Sequence, residues 1–296
     1  MAVCVLGSIN WDSVAHVADL PRRGETILSH RLTQSPGGKG LNQAVASARF
    51  GAATRLIGAV GKDTVGGQLR AFLRSEGIDD ADVRDVEGVP TGQAYICLDA
   101  NGDNLIVVTQ GSNAVVGAAE VATARLDGAT VFLAQFEMPL PAIETFFRAP
   151  AALGGTKILN AAPSLLAGKS VLALADIVVV NETELEHLSS RRRGDIAAAA
   201  RNLIGANQTI IVTLGAGGAV AVDRQSLNAV PGHVVTAVDS VGAGDCFCGV
   251  LAAALAGGAG LVPAMRLANA AAALSVGCAG AAQSMPSGEE IRAFLA

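Results

Sequence analysis

Aromatic side chains are scarce in this 296-residue chain: one Trp, one Tyr and eight Phe make up 3% of it. Charged residues are few as well, at 16%, and the formal net charge is -5. A chain this poor in stacking rings and in basic excess offers no surface for neutralising phosphate backbones, so nucleic acid is excluded as a partner. Histidine occurs only at His16, His30, His187 and His233, without metal-ligand spacing. The five cysteines (Cys4, Cys97, Cys246, Cys248 and Cys278) are an odd number with no C-x-x-C pair, which excludes a disulfide framework or zinc ribbon and points to a reducing cytoplasm. No basic segment precedes the apolar Ala2-Val3-Cys4-Val5-Leu6, so a signal peptide is not expected and the mature chain is expected to start near Met1.

Long runs of Leu, Ile and Phe are missing too. The stretches between Asp245 and Arg266 and between Arg266 and Glu289 carry no charge and are long enough to span a bilayer, yet they consist mainly of Ala and Gly. They also contain Asn269, Ser275, Gln283, Pro263 and Pro286, so they read as buried helices of a large core and no membrane is expected as a partner. Two catalytic signatures are absent: no Gly-x-Ser-x-Gly elbow occurs, and neither glycine loop described below has the Gly-x-Gly-x-x-Gly fingerprint. A Walker A loop is excluded as well, because Gly168-Lys169-Ser170 has its ending but Pro163 stands where the leading glycine is required.

What the chain does have is 51% hydrophobic residues and 35 glycines, enough for a large core and many tight turns, which excludes an extended disordered chain. Short β-branched runs (Val3 to Leu6, Val131 to Leu133, Ile177 to Val180, Ile210 to Val212) alternate with helix-like segments at Leu41 to Phe50, Gly67 to Glu76, Glu182 to Leu188, Ile196 to Ile204 and Cys246 to Ala256. That alternation predicts an α/β fold with a mostly parallel sheet covered by helices on both faces, in a single domain over residues 1–296. Two regions break the rhythm, at about 13–35 and 91–110. In the second, Tyr95 to Leu98 and Leu105 to Val108 flank Ala100-Asn101-Gly102-Asp103, a hairpin pattern, and the two regions together predict a small lid that excludes water. The run Arg191-Arg192-Arg193 reads as a solvated loop.

Ligands of open α/β sheets sit beyond the carboxyl ends of the strands, so the polar residues that follow each apolar run are the informative ones. They are Asn10 and Asp12, Glu137, Asn160, Asn181 and Glu184, Thr213 to Gly218, and, after the strand-like Val234 to Val238, the segment Asp239 to Asp245. Asp239-Ser240-Val241-Gly242-Ala243-Gly244-Asp245 opens a small-residue helix. Its amides can converge on an anion while Asp245 takes a proton from a hydroxyl, although the same pattern also describes an ordinary glycine turn with a favourable helix-start charge. Gly37-Gly38-Lys39-Gly40-Leu41-Asn42 is a second glycine loop before a helix, with an ammonium and a carboxamide in it. Asn181-Glu182-Thr183-Glu184 fits a capping box, a site for Mg-bound water, or both. Cys246 and Cys248 read as small buried packing residues, and Trp11 as packing or as a wall of a substrate pocket.

Taken together these motifs resemble the ribokinase (PfkB) family of carbohydrate kinases over essentially the whole chain. The resemblance includes both glycine loops in the right order, Gly7-Ser8-Ile9-Asn10 with Asp12, Gly24-Glu25-Thr26, Gln135-Phe136-Glu137 and Asn160-Ala161-Ala162-Pro163. It implies a three-layer fold with a small β-sheet lid, and ATP-dependent transfer of a phosphoryl group to a hydroxymethyl group, with ribose expected before deoxyribose, fructose or another ketose, or a nucleoside. A non-catalytic sugar-binding regulator is the alternative from another class.

By the same resemblance Asp245 is the base, and Gly242, Ala243 and Gly244 form the anion hole. Asn10, Asp12, Gly38, Lys39, Asn42 and Glu137 contact the sugar. Asn181, Thr213, Gly215, Gly218 and Asn269 contact ATP, and Glu184 serves Mg2+ through water. K+ is implied at Asp239, Val241, Ser275, Cys278, Gly280 and Ser284, and a homodimer through the lid. The chain departs from the family pattern at Trp11, where a small residue is usual, at Cys246 and Cys248, and at Asn269, where His is common.

Overall fold

The computed structural model describes residues 2–190, 194–205 and 207–296; the basic run Arg191 to Arg193 lies outside the described residues. Its strands are β1 (Ala2–Leu6), β2 (Asn10–His16), β3 (Arg31–Gly37), β4 (Ala53–Gly61), β5 (Asp79–Val86), β6 (Gly92–Leu98), β7 (Asn104–Thr109), β8 (Val131–Gln135), β9 (Thr156–Asn160), β10 (Ile177–Asn181), β11 (Thr209–Thr213), β12 (Ala219–Val222) and β13 (Leu227–Val230). Among the described residues the main sheet runs β13-β12-β11-β10-β9-β8-β1-β4-β5. Every pairing from β5 to β11 is parallel, and only β11 with β12 and β12 with β13 are antiparallel.

The strand alternation sorts the core into two halves. Val3, Val5, Leu133, Ile158 and Val179 face a cluster completed by the helices Lys39–Phe50, Thr64–Ser75, Ala243–Ala256 and Leu261–Ser275. Cys4, Leu6, Phe132, Leu159, Val178 and Val180 face the other side, where the helices Leu140–Arg148, Glu182–Ser189 and Ile196–Leu203 pack. Burial on both faces is why these strands read as continuous apolar runs. Phe132 and Phe146 meet edge to face with ring centroids 5.6 Å apart, and truncating either fully buried ring costs about 3–5 kcal/mol.

The charge-free stretch after Asp245 becomes the helix Ala243–Ala256, buried from Asp245 through Ala254 between the sheet and the helices Lys39–Phe50 and Leu261–Ser275. A helix surrounded by protein is apolar all round, which explains the membrane-like composition. Among the described residues no helix is long and apolar enough to cross a membrane. Small residues bring the backbones close: a Cβ on Gly249 would lie 2.3 Å from the carbonyl oxygen of Gln43.

A second sheet, ordered β3-β2-β6-β7, stands over the carboxyl end of β1. β2 pairs antiparallel with β3, from Asn10 opposite Gly37 to His16 opposite Arg31, and parallel with β6. The β6–β7 turn is pinned by Asp99, whose Oδ1 accepts from the amides of Asn101 (2.8 Å) and Asp103 (2.9 Å), while Gly102 takes the left-handed φ of 89°. Between β2 and β3 the chain from 17 to 30 forms no strand.

The structure corrects one sequence expectation. Val234 to Val238 is no strand; Val234, Val235 and Ala237 line a cavity, and of its amides Val238 donates to the Val276 carbonyl at 2.7 Å. Its β-branched Val and Thr residues read as a strand, but β12 and β13 already fill that edge of the sheet.

Candidate active site

Helix Ala243–Ala256 begins at Gly242, whose left-handed φ of 80° turns the chain into the first helical residue. The first amides of a helix lack intrahelical partners, so this end presents donors to the cleft. That of Ala243 closes on the Ser240 carbonyl at 3.3 Å, a long bond open to replacement by a stronger acceptor.

Asp245 follows in the first turn and is 6% exposed. Its Oδ2 accepts from Asn42 Nδ2 at 3.0 Å and its Oδ1 from Gln43 Nε2 at 2.9 Å. Both donors lie in the first turns of helix Lys39–Phe50, so the two glycine loops, distant in sequence, are joined at one carboxylate. The Asp245 carboxylate also holds the Lys39 ammonium above its ordinary range, against the opposing cost of burial.

On the lid side, Asn10 and Asp12 project from one face of β2 and Trp11 from the other, where it packs against the main core. Asn10 Oδ1 accepts from Asn113 Nδ2 at 2.8 Å, and Asn113 Oδ1 accepts from the amide of Ile9 at 2.9 Å, which fixes the bend from β1 into the lid. Glu137 Oε2 accepts from Ser8 Oγ and from the amide of Lys39 at 3.1 Å. Burial, with the nearby charges of Glu137 and Asp245, pushes the Asp12 carboxyl up to about 7. Asp12 Oδ1 and Asn42 Oδ1 are buried acceptors without a protein partner. Glycine is obligatory beside them: a Cβ at Gly37 would meet Asp12 Oδ2 at 2.0 Å, and Gly38 has φ 90° with Ser8 and Asn10 backbone at its Cβ position.

Beyond Asp245 a polar passage of about 200 Å³ is lined by Lys39, Asn181, Glu184, Thr213, Gly244 and Asp245. Asn181 and Glu184 form the reciprocal cap, each side chain accepting from the other's amide at 2.8 Å. Burial raises the Glu184 carboxyl above its ordinary range. Thr213 and Gly244 also border a cavity of about 440 Å³ lined by Gly215, Gly218, Phe247, Asn269 and Ala272. Asn269 is held there by donation to the Pro231 carbonyl at 2.7 Å, and Gly218, with φ 93°, has the Val230 carbonyl oxygen 2.1 Å from its Cβ position.

Among the described residues no group of three or more His, Cys, Asp and Glu is gathered to hold a metal. A divalent ion at Glu184 therefore fits only as one ligated mainly by nucleotide phosphates and water. Of the residues named for a monovalent ion, three are tied together: Asp239 accepts from the amides of Val241 (3.0 Å) and Gly280 (2.9 Å). The Ser275 and Ser284 hydroxyls donate to the carbonyls of Ala272 (2.9 Å) and Ala281 (2.8 Å), and Cys278 is exposed. Burial pushes the Cys246 thiol up to about 12 and that of Cys248 well above its ordinary range, so both are inert packing groups.

Sequence reasoning assigned no role to Gln43, Gln135 or Asn113. All three are buried polar residues next to apolar ones, and the only signal for Gln43 was its place between Asn42 and the core-facing Ala44-Val45-Ala46.

The profile of pfkB family carbohydrate kinases matches residues 2–288. The chain is 34% identical over 300 residues to a ribokinase of Haemophilus influenzae, covering 98% of this chain and 97% of that protein. It is 33% identical over 303 residues to a deoxyribokinase of Salmonella typhi, covering 100% and 99%. The structure of Arabidopsis thaliana ribokinase complexed with ribose and ATP superposes with a TM-score of 0.87 at 28% identity, over 99% of this chain and 98% of that one. The chain belongs to the pfkB family of carbohydrate kinases and is a phosphotransferase that acts on a sugar hydroxyl.

Proposed function

We propose that this protein transfers the γ-phosphoryl group of ATP to the 5-hydroxyl of D-ribose, giving D-ribose 5-phosphate and ADP. The observation that carries this reading is the placement of Asp245, a buried carboxylate clamped between a chamber with unpartnered acceptors and a passage leading to a nucleotide-sized cavity. Ribokinases among the relatives support ribose, but a deoxyribokinase is similar to almost the same degree, so the choice rests on the chamber. Asp12 with Asn10 suits vicinal hydroxyls, and a sugar lacking one of them leaves a buried acceptor unpaired, which favours ribose over deoxyribose.

In this reading Asn10, Asp12, Gly38, Lys39, Asn42 and Glu137 seat the sugar so that its 5-hydroxyl faces Asp245. As the hydroxyl oxygen bonds to the γ-phosphorus and the bond to the ADP oxygen breaks, the proton passes to an Asp245 oxygen. Lys39 and the amides of Gly242, Ala243 and Gly244 take up charge on the transferred oxygens. Asn181, Thr213, Gly215, Gly218 and Asn269 hold the nucleotide. Mg2+ bound with the phosphates and met by Glu184 through water would neutralise their charge. K+ held by Asp239, Ser275, Ser284 and the carbonyls of Val241, Cys278 and Gly280 would fix the loop before the anion hole. We read residues 1–296 as one catalytic domain whose lid keeps water from the chamber. Its exposed Leu105, Ile106, Val107 and Val108 are the faces through which two copies would pair, and the free cysteines fit a reducing cytoplasm.

The test is an ADP-release assay with Mg-ATP on ribose, deoxyribose, fructose, adenosine and no sugar, with and without K+, on wild type and Asp245→Asn. Ribose is expected to give the highest kcat/KM, and Asp245→Asn to lose about 100-fold or more in turnover with sugar binding retained. Near-normal turnover in Asp245→Asn would remove it from the chemistry, and a preference for deoxyribose would overturn the acceptor.

A further inference from the structure

The Asp245 carboxylate is backed by a buried chain of carboxamides from three separate elements. Gln43 Nε2 donates to Asp245 Oδ1 (2.9 Å) and to Asn160 Oδ1 (3.0 Å), and Gln43 Oε1 accepts from Gln135 Nε2 at 2.7 Å. Asn160 Nδ2 in turn reaches the Val179 carbonyl at 3.4 Å. Gln43 and Gln135 are fully buried at the sheet's carboxyl edge, and neither lines the polar passage.

The direction of this chain follows from chemistry. A carboxylate only accepts, so Gln43 must present its NH2 to Asp245; its oxygen then faces β8, and Gln135 must turn its own NH2 toward it. The Gln135 and Gln43 amide dipoles are thereby aimed in series at one carboxylate oxygen, an arrangement in which each bond strengthens the next, while Asn160 takes the second Gln43 hydrogen and turns its own NH2 to Val179. Orienting Gln135 this way leaves its own Oε1 buried without a partner.

We infer that Gln43 is a positioning residue for the phosphoryl transfer, holding the Asp245 carboxylate fixed in rotation so that its remaining lone pairs face the acceptor hydroxyl, with Gln135 locking Gln43 in the donating orientation. This inference rests on Asp245 being the base. Five other titratable groups interact with that carboxylate: Lys39 attracts it, Glu184 and Asp12 repel it, and Cys246 and Cys248 stay neutral through burial. Gln43 adds a neutral donor that favours the charged form without occupying the passage.

The experiment compares Gln43→Leu and the isosteric Gln43→Glu with wild type and Asp245→Asn, reading kcat, both KM values and the pH profile of kcat on full-length protein. Gln43→Leu is expected to lower kcat about 10- to 100-fold with both KM values within about threefold, and to move the acid limb of kcat to higher pH by about one unit. Gln43→Glu places a second carboxyl against Oδ1 and is expected to move that limb further, recovering activity on the alkaline side. In an Asp245→Asn background Gln43→Leu should cost nothing more, because the interaction it removes is already gone. An acid limb unmoved in both variants would overturn the inference, including where kcat and KM fall together through damaged packing. Should Gln43→Leu fold poorly, Gln43→Glu decides the matter. Loss of activity in Asp245→Asn with normal Gln43 variants overturns this inference alone, whereas an active Asp245→Asn overturns the reading beneath it.

Discussion

On one side of Asp245 the polar cluster of Asn10, Asp12, Asn42 and Glu137 leaves two buried acceptor oxygens without a protein partner. The cavity on the other side of Gly244 is lined by Val235, Phe247, Ala272 and Val276 and, among the described residues, by no Asp, Glu, Lys or Arg. Both ends border the same helix start, yet one offers a cluster of directed hydrogen-bond partners and the other a mostly apolar wall with Thr213, His233, Ser240 and Asn269 set in it. A buried, unpartnered carboxylate oxygen is costly until a hydroxyl reaches it, so the polar end discriminates steeply between ligands. An apolar cavity gains from area alone and discriminates weakly. The sugar end should therefore be brittle to substitution and sensitive to pH, and the nucleotide end tolerant.

Asp12 gives the largest expected contrast. Removing its carboxylate in Asp12→Ala should raise the ribose KM by about 100-fold or more and leave the ATP KM within about twofold, measured by steady-state kinetics with each substrate varied. The pH dependence has a definite sign. The Asp12 carboxyl is pushed up to about 7 in the free protein, and hydroxyl donors favour its ionised form, so ribose should bind more tightly as pH rises from 6 to 8. In Asp12→Asn that dependence should flatten. A ribose KM that rises with pH over the same window would mean that the neutral carboxyl is the binding form.

The nucleotide end should respond less. Ala272→Phe inserts a ring into the apolar cavity and should raise the ATP KM by about tenfold while leaving the ribose KM unchanged, because no hydrogen bond is lost. An equal rise in both KM values would show that the two ends close together, and that their difference in composition does not translate into independent binding.

Legibility in the sequence followed the range of the interaction. The two glycine loops could be read because amides before a helix need only a few consecutive residues, and Gly242 and Gly38 take the left-handed backbone their positions demanded. The β1, β8, β10 and β11 runs were legible because burial on both faces writes itself as consecutive Val and Ile. Gln43 was not, because its meaning lies in Asn160, Gln135 and Asp245, residues on separate elements that only the folded chain brings together. The β12–β13 hairpin was missed for a different reason: each strand is four residues long, and Asp223 closes the turn by accepting from the amides of Gln225 and Ser226. In its place Val234 to Val238 gave the longer β-branched run without a partner strand.

Trp11 carries the smallest expected effect and tests the comparison most finely. The sequence left it either as packing or as a wall of the sugar pocket, with Asn10 and Asp12 on both sides of it. Strand geometry separates these readings, since successive side chains of β2 point to opposite faces and its neighbours across the sheet are Pro36 and Gln93. Trp11 therefore packs against the core while Asn10 and Asp12 face the chamber. Trp11→Phe should lower stability by about 1–2 kcal/mol in denaturant unfolding. It should also leave the ratio of ribose to deoxyribose kcat/KM within about twofold of wild type, because a ring on the far face makes no hydrogen bond to either sugar. A shift in that ratio would mean that packing beneath β2 sets the position of Asp12, making the polar end's selectivity a property of the core under it as well as of the acceptors in the chamber.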